Sequence, residues 1–128
     1  VGSFETSKAE RVYHEELLRR EESGAISSLQ TQPKVRLWMP QTHHVDFLYF
    51  DERLDWWVFD EFKGAQTQRG INIRKAFEDR RVEVPHPNTL YRITKESRHI
   101  GYHKNDIYPR GTGLLDPSVP PWENDHDE

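Results

Sequence analysis

The chain is predicted to fold as a single α/β domain, a mixed central β-sheet flanked by helices. Its apolar residues are gathered in short runs although charged residues make up 31%, which favours a packed core over a solvated coil. The runs change period along the chain, from helical spacing to strand alternation, then to helical spacing and a last strand. A hairpin makes two of the strands antiparallel, and a helical crossover makes the last strand parallel to its predecessor. At 128 residues the chain supports one core and not two comfortable ones.

The first helix is "TSKAERVYHEELLRREESG". Ser7 can cap it, Ala9, Val12, Tyr13, Leu17 and Leu18 recur at helical spacing, and Gly24 stops it. "ISSLQTQPKVRLWMP" then reads as an extended segment with Val35, Leu37 and Met39 on one face, and Pro33 demotes its beginning to a strand entry or an edge. "VDFLYF" and "WWVFDEFK" flank the turn "DERLD" and predict a hairpin. "INIRKAFEDRR" is a second helix with Ile73, Ala76 and Phe77 inward, and "HPNTLYRITKE" supplies a turn and a strand over Leu90 to Thr94. Residues 114–128 hold three prolines and an acidic run; they are expected to form a flexible tail beyond a domain of residues 1–113.

Charge and composition narrow the setting. With no cysteine there is no disulfide and no thiolate metal site, which fits a reducing cytoplasm. No apolar run reaches membrane-spanning length and "VGSFETSKAE" lacks a signal-peptide core, so a soluble protein without membrane association is expected. The net charge of −4 is uneven. Asp116, Glu123, Asp125, Asp127 and Glu128 meet no lysine or arginine after residue 113, whereas residues 69–113 carry ten basic side chains against five acids. That excess suits a polyanionic partner, although an ordinary solvated face has the same composition.

Asp46, Asp60, Glu61 and Lys63 stand inside the predicted hairpin strands, where an unpaired buried charge is costly. Period two puts Glu61 and Lys63 on one face and Asp60 with Phe62 on the other. Asp46 comes from the neighbouring strand, so two carboxylates and an ammonium can project together. Mg²⁺ favours a couple of carboxylates, keeps several waters and takes phosphate as a further ligand. A lysine beside it can position a water or offset charge on phosphate oxygens.

Asp46, fourteen residues, then Glu61-Phe62-Lys63 with Gly64 behind resembles the signature of the PD-(D/E)xK nuclease superfamily. "SKAERVYHEELLRREESGAISSLQTQPKVRL" resembles the opening of small phage-encoded, junction-resolvase-like members, and the likeness spans about Ser7 to Thr94. It implies a restriction-endonuclease-like fold and a Mg²⁺-dependent endonuclease, with Mn²⁺ able to substitute, acting on branched DNA in a bacterial host and in DNA recombination. By the same likeness Asp46, Glu61 and Glu10 would hold the metal, Lys63 would complete the catalytic set, and a homodimer is expected. Gln32 would lie at the strand entry beside the site and Thr67 in the loop after the lysine. With Arg69, Arg74 and Lys75 as the first backbone phosphate contacts, these five form the DNA-binding set. The proline usual before the aspartate is replaced by Val45.

Other readings stand beside these. "SKAE" is a capping box in which Glu10 would bond back to the Ser7 amide. Glu61 and Lys63 could be a surface pair of little energetic weight. Asp60 faces away from them and suits an arginine on the first helix. The seven histidines show no zinc spacing. His99 and His103 could meet phosphate, Trp38, Trp56 and Trp57 could stack on bases or fill the core, and Trp122 could dock on a partner. Two rival functions follow. One is a DNA-cleaving subunit of a transposition or packaging complex, switched on by a protein partner bound to the tail. The other is a silent nucleic-acid-binding protein on the same fold.

Overall fold

The computed structural model describes residues 8–36, 42–62, 68–79, 81–84, 86, 88–94 and 106–109, without the side chains of 68–70. The elements are α1 (Lys8–Ser23), β1 (Ile26–Thr31), β2 (Lys34–Arg36), β3 (Thr42–His44), β4 (Phe47–Asp51), β5 (Trp56–Phe62), α2 (Gln68–Glu78) and β6 (Thr89–Thr94). The main sheet has strand order β1-β4-β5-β6, with β2 and β3 forming a separate ribbon. β4 pairs antiparallel with β1 and β5, and β5 pairs parallel with β6. The mixed sheet flanked by helices is therefore present, parallel crossover included.

Each helix covers one face. Tyr13 and Leu17 of α1 pack with Ile26, Phe47, Tyr49, Val58 and Leu90. Ile73, Ala76 and Phe77 of α2 pack with Val45, Leu48, Phe59 and Tyr91. Strand alternation sorts the residues onto these two faces. The inward stripe of α1 is Tyr13, Leu17 and Arg20, and Val12 and Leu18, expected inside, are about half exposed at 49% and 47%. Positions 13, 17 and 20 follow one helical line and leave Val12 and Leu18 beside it. α1 ends at Gly24, whose φ of 89° accompanies bonds from the Gly24 and Ala25 amides to the Glu21 and Arg20 carbonyls.

The extended segment predicted after α1 is two strands and not one. Gln32 takes a φ of 50° and breaks the run before Pro33. β2 then leaves the main sheet to pair with β3 in the register Lys34↔His44. Ser28, with a φ of 57°, lies where the β1–β4 register shifts, as in a β-bulge. Leu37, Met39, Trp38, Ser7 and the whole segment 114–128 lie outside the described residues.

Candidate functional site

Asp46 sits in a bend between β3 and β4, one residue before the strand in which it was expected. Its backbone carbonyl accepts the Gln32 amide at 2.8 Å. Its Oδ2 accepts the Phe62 amide at 2.8 Å, which ties the bend to the end of β5. The β4–β5 register pairs Phe47 with Asp60, so the next step outward sets Asp46 opposite Glu61. Alternation puts Glu61 on the α2 face with Phe59 one pleat inward, while Asp46 lies in the bend, where the alternation is broken.

Glu10, on the first turn of α1, reaches Asp46 and forms a side-chain hydrogen bond with it. Burial first, then the Asp46 charge, pushes the Glu10 carboxyl up. Burial also raises Asp46, and Asp60 adds to it, against the lowering by hydrogen bonds from the Phe62 amide, the Gln32 side chain and Glu10. The two acids share a hydrogen bond, so one proton is held between them. Of the two readings of Glu10, the contact with Asp46 is the one present; Ser7, the other half of a capping box, is outside the described residues.

Gln32 is held by two hydrogen bonds to Asp46, one from its amide and one from its side chain. Its left-handed φ is a conformation that only glycine adopts freely, so the local structure spends strain to keep this residue against the acid. Tyr91 of β6 shares the site. Burial raises its hydroxyl pKa, as do the nearby charges of Glu61, Asp46 and Asp60, while Arg74 of α2 opposes them. Arg74 is 46% exposed and lies 3.9 Å from Glu78, and Lys75 is exposed on the same helix. Arg69 lies on the first turn of α2, its side chain not among those described. Lys63 and Thr67 lie outside the described residues.

Asp60 faces α1, and its partners are not the expected arginine of that helix. Its Oδ2 accepts the Tyr13 hydroxyl at 2.5 Å and the Tyr49 hydroxyl at 2.6 Å. Arg92 then donates to Tyr49 at 3.2 Å and makes two bonds to Asp106, at 2.7 and 2.8 Å. Tyrosines won because a neutral donor satisfies a buried carboxylate without a second ion to desolvate on α1. Oδ1 of Asp60 has no hydrogen-bond partner among the described residues.

Among the described residues no three acids or histidines converge as a ready-made metal cage. The donor set nonetheless suits a hard divalent cation, which needs only one or two carboxylates and completes its shell with water and phosphate. Asp46 and Glu10 are the pair in contact, and the burial that raises both, with the Asp46 charge adding to Glu10, is what such an ion would offset. Trp56 packs edge-on against Tyr108 and Trp57 against Phe50, both half-buried at the rim of the core. Trp38, Trp122, His99 and His103 lie outside the described residues.

No protein-family model, no curated protein and no solved structure matches the chain. Sequence reasoning overlooked Tyr91; it set Gln32 beside the site but not in its left-handed backbone conformation. Alternation in "TLYRIT" puts Tyr91 on the face of one helix or the other, but only the β5–β6 register decides which.

Proposed function

We propose that this is a metal-dependent DNA endonuclease on a restriction-endonuclease-like domain, with Asp46 and Glu10 at its centre and Glu61 facing them. The observation that carries the proposal is the Glu10–Asp46 carboxyl pair, held by a strained Gln32 and the Phe62 amide at the open end of the sheet. The strand order, with antiparallel β4–β5 and a crossover to parallel β6, supports the fold assignment.

Asp46, Glu61 and Glu10 would hold Mg²⁺ or Mn²⁺. Once bound, such an ion supplies Lewis acidity to the phosphate oxygens and to water. Holding such an ion would require both carboxylates ionised, so the proton shared by Glu10 and Asp46 would leave to solvent. The Phe62 amide fixes the Asp46 carboxylate so that it need not reorganise during the reaction. Lys63 orients the attacking water or compensates charge on the phosphate, and Arg69, Arg74, Lys75 and Thr67 hold the DNA backbone. The substrate is DNA with a branch or junction, and a homodimer would let both strands be cut.

The test is cleavage of labelled linear duplex, single strand, flap and four-way junction with Mg²⁺, Mn²⁺ or EDTA, by the wild-type chain and by Lys63→Ala. Cutting that needs metal, prefers the branched substrates and falls at least a hundredfold in the variant is expected. Metal-independent cutting, or cutting indifferent to Lys63, rejects the mechanism.

A further inference from the structure

The β2–β3 ribbon offers a second surface. Alternation buries Val35 and leaves Lys34 and Arg36 exposed on one side, with Thr42 opposite Arg36 in the register. That side walls a groove of about 560 Å³, inside the roughly 300–1,000 Å³ range of small-ligand sites. Leu48 and Phe59 form its base, and the segment at Glu83, whose amide donates to the Arg36 carbonyl at 2.9 Å, closes it. Phe59 stands one pleat inward of Glu61 on the same face, and Pro33, which also lines the groove, directly follows the Gln32 that holds Asp46, so the groove starts near the carboxylates.

We propose that this groove receives one unpaired DNA strand beside the carboxylate site, its phosphates held by Lys34 and Arg36. The proposal rests on the endonuclease reading for its ligand. Two cations at i and i+2 of a strand stand about 6.6 Å apart, comparable with the spacing of successive phosphates along one strand. Among the described residues neither side chain makes an ion pair, so both are available to an anion. A groove of about 560 Å³ is of small-ligand size, with room for a short piece of one strand and not for a duplex. Among the described residues Glu83 is the one acid lining the groove, and it weakens the attraction for phosphate.

The test is fluorescence anisotropy of the full chain with a labelled single-stranded oligonucleotide and with a blunt duplex, in EDTA across a salt series. Wild type is compared with Lys34→Ala/Arg36→Ala, with Glu83→Gln, and with Arg53→Ala in the β4–β5 turn at the opposite end of the sheet. For the single strand, loss of two contacts is expected to flatten the slope of log affinity against log salt by about 1.4. Glu83→Gln is expected to tighten binding, and Arg53→Ala and all duplex slopes to stay unchanged. A double variant with the wild-type slope overturns the proposal, as does equal loss on duplex and single strand, or a wild type that binds no DNA. Cleavage is scored separately. A chain that binds through these cations but never cuts refutes the nuclease and leaves the groove assignment standing; a cutting chain indifferent to the double variant refutes the groove alone.

Discussion

Burial raises the carboxyls of both Asp46 and Glu10, and the Asp46 charge raises Glu10 further, which gives this pair a pH response. Both carboxyls are raised above their ordinary range in the folded state. Between the ordinary and the raised values the folded chain binds more protons than the unfolded one, so stability falls as pH climbs through that window. Asp46→Asn removes one titration and the charge that elevates Glu10. The variant is therefore expected to lose less stability than wild type from mildly acidic to neutral pH, measured by denaturant melts at a series of pH values; parallel losses would contradict the pairing. At neutral pH, Mg²⁺ at a hundred times its dissociation constant is expected to restore about 2.7 kcal/mol to wild type and much less to the variant.

At the scale of elements, Asp60 ties α1 to β5 and thereby fixes where Glu10 stands relative to Asp46. Tyr13, one turn after Glu10, is bound to Asp60 beside Glu61. Asp60→Ala would take the acceptor from the Tyr13 and Tyr49 hydroxyls while Arg92 keeps Asp106, at a cost of roughly 1–3 kcal/mol for each buried hydroxyl left unsatisfied. Tyr13→Phe would leave Asp60 one donor short, at about 1–3 kcal/mol. Chemical denaturation checks both, and an Asp60→Ala change under about 1 kcal/mol would show the network to be incidental. Much of this level was legible beforehand. The hairpin followed from "VDFLYF" and "WWVFDEFK", the crossover from one helix between two strands, and the inward face of α2 from Ile73, Ala76 and Phe77. The split of β1 from β2 was not, because the positive φ of Gln32 is sustained by Asp46, fourteen residues away, and no local propensity encodes it. Nor was the partner of Asp60, since alternation fixes which face a side chain takes but not which helix residue lies over it.

For the molecule as a whole, sheet topology brings together what the chain keeps apart. The first turn of α1, the break after β1, the bend before β4 and the end of β5 meet at one end of the sheet, and α2 brings Arg74 over the same face. Acids there stand near basic side chains on α2 and the β2–β3 ribbon, an arrangement the proposed hydrolysis of a polyanion would use. The central claim is that this junction is a metal-dependent hydrolytic site. Its most direct test is the rate at which wild type and Asp46→Asn cut a labelled branched duplex in Mg²⁺, with DNA affinity measured in parallel. The expected result is at least a hundredfold loss of cutting with binding retained within a few fold. A variant that cuts as fast as wild type, or wild-type cutting that survives EDTA, would contradict it.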